Sequence, residues 1–426
     1  MANSSQKAWI SSASLGLAIL SFINLFNYLD RYIVSALAES LKHSELALSD
    51  AELGSLMSGF LIVFALAAPV FGALGDRRSR PRLIAFAVGC WSAATALSGL
   101  AGSFAALFAA RASVGIGEAA YVTIAPSLLS DYFPCSQRGR VMAIFFCAIP
   151  VGSALGYVVG GLIDAHFGWR MAFFVAGIPG AILALLCLGL RDPPRGSQDL
   201  DSPAPAGARG KSDTRATYRQ LLRNKPYVLT ILGYAAYTFA LGGLAFWMPA
   251  FLERTRGIPR SQATVSFGTI VVVTGFIGTF AGGWLGDYCA KYSQRAYLWI
   301  SAIATLIAAP FAWFALTAAS TTLYLVCLVI AQLLMFLSTG PINASIVNLV
   351  LPTQRASANA LGVFAIHLLG DVPSPLLIGI ASDATSLAQA VKIVPVAILV
   401  SAGIWAWGAR AQASSDLSLE KLTCAS

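Results

Sequence analysis

The chain has 426 residues, of which 57% are hydrophobic and 11% are charged, and its mean hydropathy is +0.72. This composition excludes an ordinary soluble globular protein, in which about 25% of residues are charged, and the length allows about a dozen membrane-crossing helices. The formal net charge of +9 could suit a nucleic-acid-binding protein. However, the Lys and Arg residues lie mainly between apolar runs, as in a membrane protein, so we expect no nucleic-acid partner.

Apolar runs of membrane-crossing length follow one another along the chain. They predict helices at 14–38, 52–75, 83–102, 104–132, 140–164, 172–190, 226–252, 262–286, 296–318, 321–350, 358–381 and 389–409. The polar stretch 192–224 is rich in Pro, Gly and Ser and predicts a cytoplasmic linker, with a short amphipathic helix near Tyr218–Arg223. We therefore predict an all-α membrane protein of twelve helices in two six-helix bundles, at 1–191 and 225–410, with a tail at 411–426.

The first apolar run predicts a retained helix and not a cleaved signal peptide, because Asn24, Asn27 and Asp30 interrupt it and no cleavage site follows. Most of the Lys and Arg residues outside the spans lie in loops and tails on the same side of the membrane as the N-terminus. The positive-inside rule then places both termini in the cytoplasm. Short loops favour a bacterial cell inner membrane. We expect a multi-pass monomer embedded in the lipid bilayer.

Four charged residues lie inside the predicted spans, namely Asp30 and Arg31 in span one and Arg111 and Glu118 in span four. A charge at bilayer depth costs about 2.5–3.5 kcal/mol on insertion scales, so it is rarely kept without a function. Asp30 and Arg31 point about 100° apart on a helix and cannot pair well with each other. Since the four charges sum to zero, we expect Arg111 and Glu118 to be their partners across a shared cavity.

The loop after span two reads GALGDRRSRPR from Gly72 to Arg82, and Asp287 closes a similar run after span eight. The loop resembles the signature loop of the major facilitator superfamily, a class of membrane transporters. The resemblance implies two six-helix halves around a central site, and a cytoplasmic latch between helices. The predicted latch residues are Gly72, Asp76, Arg77, Arg80 and Asp287.

Span five carries small residues at every fourth position, at Gly152, Gly156 and Gly160. Such a stripe lets a neighbouring helix pack against the backbone. The run also resembles a fifth-span motif associated with antiporters, but it lacks the Gly-Pro pair of that motif. Helix packing is therefore the interpretation we favour.

Three runs together resemble the Spinster branch of the superfamily: NYLDRY in span one, GEAAYVTIAPSLLSDYF in span four and AIPVGSALGYVVGG in span five. The resemblance covers roughly residues 21–180. It implies proton-linked movement of lysolipids or sphingoid lipids, and it places Asp30, Arg31, Arg111 and Glu118 in the central polar cluster of the family.

These observations predict a secondary active transporter that exchanges protons at Glu118, with Asp30, as Arg111 moves away and returns. The predicted substrate-binding residues are Arg111, Arg31, Asn27, Tyr121, Tyr234, Tyr237 and His367. One half is charged and the other is largely apolar and aromatic, which favours an amphipathic lipid substrate over a sugar. A proton-coupled drug or organic-anion carrier, and a lipid-binding receptor without flux, remain alternatives.

The sequence contains no G-x-x-x-x-G-K-[ST] loop, no metal-ligand spacing and no nucleophile–base arrangement on a strand. We therefore expect no cofactor, no bound metal and no enzymatic activity.

Overall fold

The structure is a computed structural model that describes residues 12–195, 197–198, 214–293, 295–350 and 354–423. These residues form a series of helices joined by short connections. The first six are α1 (Ala13–His43), α2 (Asp50–Gly75), α3 (Arg80–Ser98), α4 (Phe104–Tyr132), α5 (Cys135–Phe167) and α6 (Trp169–Cys187). The next five are α7 (Thr214–Arg223), α8 (Lys225–Arg256), α9 (Arg260–Ala290), α10 (Ala296–Thr317) and α11 (Thr321–Asn348). The last are α12 (Arg355–Ile366), a π-helical turn (His367–Asp371), α13 (Pro373–Ala384), α14 (Leu387–Ala390) and α15 (Ile393–Thr423).

Side-chain caps fix where several of these helices begin. Ser49 and Glu52 form a reciprocal capping box at the start of α2, which satisfies two backbone N–H groups that have no partner inside the helix. Ser103 accepts a hydrogen bond from the backbone at the start of α4, and Ser320 does so at the start of α11. Both ends of α5, α8 and α9 extend beyond the apolar runs, because terminal turns that carry polar residues continue the helix.

Eleven helices in the described part of the chain are long and apolar enough to cross a membrane. Among them, α12, the π-helical turn and α13 together provide one span, Ser357–Ala384, and α14 with α15 provides another, Leu387–Gln412. The helix α3 stands in the expected place for a twelfth span, and its first turn contains Arg80 and Arg82. The predicted all-α membrane fold is confirmed, and the twelve-helix plan agrees with this series.

The contacts divide the chain into two units. Unit 1 comprises Met1–Ala208 and Pro249–Gly268, so it includes the turn between α8 and α9. Within it, α1 packs on α5, α2 on α4, and α3 on both α4 and α6. The glycine stripe of α5 faces α1: a Cβ at Gly152 would lie 2.4 Å from the Leu25 carbonyl oxygen, and one at Gly156 would lie 2.6 Å from that of Leu29. The predicted packing role of this stripe is thus confirmed.

Unit 2 comprises Arg209–Met248 and Thr269–Ser426. Here α10 packs on α11 and α15, and Trp405 lies in an aromatic group with Tyr234 and Tyr237. The predicted amphipathic helix at 218–223 is part of α7, and its Leu221 is buried against Tyr227 of α8. This short helix is therefore anchored to the unit by its apolar face.

Candidate functional site

The four intramembrane charges of unit 1 form two ion pairs between α1 and α4. The Arg31 guanidinium donates to Glu118 Oε2 from Nη2 at 2.9 Å and from Nε at 3.3 Å. Arg111 Nη1 donates to Asp30 Oδ1 at 3.0 Å, and its Nη2 donates to the Asp30 carbonyl oxygen at 3.2 Å. The adjacent residues on α1 thus turn to different partners on α4, because consecutive helical side chains point in different directions.

The cluster is almost completely removed from solvent. Glu118 is 0% exposed, Asp30 and Arg111 are each 1% exposed, and Arg31 is 8% exposed. A third helix supplies a neutral partner, since Thr95 of α3 donates its hydroxyl to Asp30 Oδ2 at 2.7 Å. Sequence analysis missed Thr95 because a lone threonine in an apolar helix gives no signal of its own. Buried ions require partners of this kind, since an unpaired one is strongly destabilising.

Several buried polar atoms beside these pairs have no partner among the described residues. They are Glu118 Oε1, Arg111 Nε, and both amide atoms of Asn27. Most buried polar groups in proteins are hydrogen-bonded, so each exception calls for an explanation such as a ligand, an ion or a proton site. Asn27 lies one turn before Arg31 on α1, so its amide and the charged pairs share one region of the unit. The cluster therefore has unused capacity to bind a polar group or a proton.

Aromatic rings surround the Arg31 guanidinium. Its central carbon lies 4.9 Å from the ring centre of Tyr28, and 5.1 Å from the ring centres of both Phe60 and Phe64. Rings at these distances attract a cation through their faces, so they hold the guanidinium charge in an apolar setting. Phe173 of α6 lies 5.8 Å from the Arg111 guanidinium in the same way.

The other predicted binding residues belong to unit 2 or use their hydroxyls elsewhere. Tyr121 is fully buried and donates its hydroxyl to the Leu20 carbonyl oxygen. In unit 2, Tyr237 donates to the Met335 carbonyl oxygen at 2.8 Å, and the half-buried Tyr234 accepts from Asn343 at 3.4 Å. Their roles in substrate binding stay predictions.

His367 and Asp371 lie four residues apart and form a hydrogen-bonded pair, with His367 Nδ1 2.9 Å from each carboxylate oxygen. A role of His367 in substrate binding stays a prediction. Both residues belong to the π-helical turn. Such turns often occur at functional sites in helices.

The predicted latch loop has one strongly bound residue. Arg80 is 1% exposed; it is bonded to Asp131 of α4 and donates to Asp192 Oδ1 at 2.9 Å. Asp76 and Arg77 are exposed, and Asp287 accepts from Tyr297 at 3.1 Å. Gly72 packs against α4, since a Cβ there would lie 3.4 Å from the Thr123 methyl group. Sequence analysis missed Asp131 and Asp192, which face Arg80 only because α3, α4 and the end of the first half meet there.

A second charged group, which we call the turn network, lies around the turn between α8 and α9. Arg254 donates to Glu39 Oε1 at 3.0 Å and to Asp50 Oδ1 at 3.0 Å. Arg260 donates to Asp164 Oδ2 at 2.9 Å and to Glu253 Oε1 at 2.9 Å. Lys42 also pairs with Asp50. The members of the turn network all belong to unit 1, and they are Glu39, Lys42, Asp50, Asp164, Glu253, Arg254 and Arg260. The sequence does not reveal the bonds of Arg254 to Glu39 and Asp50, or that of Arg260 to Asp164, because these partners are far apart in the chain.

A series of membrane-crossing helices in which buried charges neutralise one another is typical of a membrane transporter. The chain matches the model of the Major Facilitator Superfamily over residues 20–407. It belongs to this superfamily and, within it, to the Spinster family, whose members include relatives of more than 30% identity over most of the chain. Members of the family are transporters and not enzymes, so this chain is a transporter.

Two relatives and one solved structure show the extent of the similarity. The chain is 34% identical to Protein spinster of Drosophila melanogaster over 86% of its own length and 61% of that protein, so it spans less than two thirds of this relative. It is 36% identical to the mouse sphingosine-1-phosphate transporter SPNS2, over 86% of this chain and 69% of the relative. The crystal structure of a bacterial homologue of the human lysosomal transporter Spinster, in an inward-facing and unoccupied conformation, superposes with a TM-score of 0.84 at 24% identity, covering 94% of this chain and 97% of the other. At this sequence identity, the similarity to the bacterial homologue shows a shared fold and nothing more.

Proposed function

We propose that the protein is a proton-coupled secondary transporter of a single-chain lipid with an anionic head group, such as a lysophospholipid or a sphingoid lipid phosphate. The observation that carries the proposal is the buried cluster of Asp30, Arg31, Arg111 and Glu118, in which Glu118 Oε1 has no partner among the described residues. A carboxylate oxygen that is buried and unbonded can take up a proton without first breaking a hydrogen bond. The mouse relative that transports sphingosine-1-phosphate supports a lipid substrate.

The proposed coupling uses competition for the two arginines. An anionic head group that bonds to Arg31 draws the guanidinium from Glu118, and the carboxylate then binds a proton because a buried unpaired charge is costly. When the head group leaves, Arg31 returns and Glu118 releases the proton. Arg31 takes here the role that the sequence assigned to Arg111, because the structure pairs Glu118 with Arg31 and Asp30 with Arg111. Asp30 is the second proton-binding group in the proposal.

Alternating access of two six-helix bundles completes the proposed mechanism, as in other transporters with parallel repeats. The bundles are those at 1–191 and 225–410, with the latch residues on their cytoplasmic side. We also propose a cytoplasmic location for both termini and a bacterial inner membrane as the site of action, on the positive-inside distribution of Lys and Arg. Reporter fusions at each terminus test the orientation: periplasmic activity at either one would contradict it.

The test is the flux of a labelled lysophosphatidylglycerol into proteoliposomes, with and without an inward proton gradient. We expect gradient-dependent flux for the wild type and its loss for Glu118→Gln, since the amide keeps the shape but cannot exchange a proton. Glu45→Gln is the matched control, because Glu45 lies in the loop after α1 with an exposed side chain. Equal, gradient-dependent flux in wild type and Glu118→Gln would refute the coupling scheme.

Two other outcomes identify the alternatives. Flux of an organic cation or anion without lysolipid flux would assign the protein to drug or organic-anion transport. Saturable lysolipid binding without flux would assign it to the lipid receptors.

A further inference from the structure

Three helices of unit 2 meet at one membrane surface: α8 and α10 begin there, and the span provided by α15 ends there. Gly408 of α15 joins them, since a Cβ at Gly408 would lie 3.4 Å from the Leu229 Cβ of α8 and 3.8 Å from the Leu298 Cδ1 of α10. The cationic and aromatic residues at this place, which we call the three-helix junction, are Lys225, Trp299, Trp407 and Arg410. They lie within two turns of the end of a membrane span, which is the level of the lipid head groups.

Two cation–aromatic pairs cover the three-helix junction. The Lys225 Nζ lies 5.2 Å from the ring centre of Trp407, and the Arg410 Cζ lies 6.0 Å from the ring centre of Trp299. Trp407 and Arg410 are three residues apart on α15, so they are neighbours on its surface and connect the two pairs. Because Trp407 is 55% exposed and both cationic residues are exposed, the pairs lie open at the surface of the protein.

The cations of the junction have no acidic partner in the part of the chain that the structure describes. Neither Lys225 nor Arg410 forms an ion pair there, whereas the arginines of the charged cluster and of the turn network all bind carboxylates. The segments 214–230 and 401–410 contain five Lys and Arg residues and no Asp or Glu. The junction therefore has a local excess of positive charge, which attracts an anionic partner.

The short helix α7 extends the same surface, because only Asn224 separates it from α8. Its Leu221 is buried in unit 2, but the next residue, Leu222, is 62% exposed beside the exposed Arg223. A helix that displays apolar and cationic side chains together suits the interface of an anionic membrane. The composition of α7 thus favours contact of this surface with lipid head groups over contact with water alone.

An apolar strip leads from each cation–aromatic pair into the membrane. On α15 the strip runs from Trp407 to Gly403 and Val400, which are all exposed and share one helix face. On α10 it runs from Trp299 to the exposed Ile303. A Cβ at Gly403 would have nothing within 4 Å, so the α15 strip has an open notch one turn below Trp407. The junction thus places its charges at the membrane surface and its apolar strips below them, in the order of a bilayer lipid.

We propose that the three-helix junction binds an anionic phospholipid of the surrounding bilayer, with its head group on Lys225 and Arg410 and its acyl chains along the strips of α15 and α10. This lipid is a bound partner and not the transported substrate, since the junction lies at the surface of unit 2 and the charged cluster belongs to unit 1. On the proposed topology the surface is cytoplasmic, the side on which anionic lipids give a membrane its negative surface potential. The inference does not depend on the proposed function, because its test measures binding and not flux.

Lipid-dependent thermal stability of the purified full-length protein in detergent tests the proposal. The measured quantity is the concentration of dioleoylphosphatidylglycerol that gives half of the maximal rise in the melting midpoint, since a lipid that binds only the folded chain raises that midpoint. Dioleoylphosphatidylcholine is the reference lipid, because it has the same tails and no net charge. Lys225→Gln and Arg410→Gln each remove one charge of the junction. Lys291→Gln is the matched control, because Lys291 is an exposed cation of unit 2, 5.9 Å from the ring centre of Tyr288, and lies outside the junction.

We expect Lys225→Gln and Arg410→Gln each to raise the half-maximal concentration of phosphatidylglycerol about fivefold, and the double variant to raise it about thirtyfold, since each cation near an anionic surface contributes about that factor to the affinity. The midpoint without lipid and the titration with phosphatidylcholine should stay unchanged, which also shows that the variants are folded. In the wild type, the preference for phosphatidylglycerol should weaken as the NaCl concentration rises from about 0.05 M to about 0.5 M, because salt screens exposed charges.

Three results would overturn the inference. The first is equal stabilisation of the wild type by phosphatidylglycerol and phosphatidylcholine. The second is an effect of Lys225→Gln no larger than that of Lys291→Gln, which would mean that the lipid responds only to the overall charge of the protein. The third is equal stabilisation by glycerol 3-phosphate, which carries the charge without the acyl chains.

Discussion

The pair formed by Asp30 and Arg111 allows a quantitative test of how the charged cluster is held. Both side chains are 2% exposed, and Arg111 donates to Asp30 twice, at 3.0 Å to the carboxylate and at 3.2 Å to the backbone. Removing one member of such a pair leaves the other charge buried and unpaired, which costs about 3–5 kcal/mol. We therefore expect Arg111→Met to destabilise unit 1 by this amount.

The magnitude translates into a measurable thermal shift. At about 2 °C for each kcal/mol, the lower end of the range because the chain is long, Arg111→Met should lower the apparent melting midpoint by about 6–10 °C. The nine tryptophans of the chain provide an intrinsic fluorescence signal for thermal unfolding of the purified protein in detergent. Thr95→Val provides a smaller loss of stability for comparison. It removes one hydrogen bond to a charged group, which should cost about 1.5–3 kcal/mol.

The decisive comparison is the double variant Asp30→Asn, Arg111→Met. Removing both charges leaves no unpaired ion, so the double variant should lose less stability than the two single variants combined, by about 1–3 kcal/mol. Strict additivity would show that the two side chains do not act as a pair. A shift below about one degree for Arg111→Met would show that the guanidinium is not desolvated as the structure places it.

Two further predictions concern helix packing and the turn network. Gly156→Ala should cost about 1–3 kcal/mol through overpacking, because its Cβ would lie 2.6 Å from the Leu29 carbonyl oxygen; thermal unfolding measures the loss, and Gly102→Ala, with nothing within 4 Å of its Cβ, should be neutral. Arg254→Met should lower the melting midpoint by several degrees and speed hydrogen exchange in the turn between α8 and α9, since Arg254 bonds to two buried carboxylates. Lys291→Met, at an exposed position, is the control for Arg254→Met. Equal effects of the two variants would show that the bonds of Arg254 do not stabilise the turn.

Much of the fold follows from the sequence, since apolar runs long enough to cross a bilayer must be helical to satisfy their backbone groups. The run 104–132 coincides with α4, and 321–350 ends two residues beyond α11. The sequence is less informative at polar helix ends. The run 226–252 stops before Arg254, although α8 continues to Arg256, because hydropathy falls where the helix carries charges that are paired in the folded chain.

The charged cluster was recognisable from the sequence because four charges in apolar spans have few explanations other than mutual pairing. The sequence also restricted the partners, since Asp30 and Arg31 point in different directions on α1. It did not determine which arginine binds which carboxylate. That choice depends on the rotation of α1 against α4, which the contacts of both helices with their neighbours fix.

What the sequence determined by itself is therefore the membrane-spanning architecture, the family and the cost of keeping four charges among apolar helices, because each depends on local composition and spacing. Only the tertiary structure determined the pairing of Arg31 with Glu118, the contact of Thr95 with Asp30 and the bonds of Arg254 to Glu39 and Asp50. Each of these joins residues that are remote in the chain, and the packing of glycine backbones and helix faces brings them together.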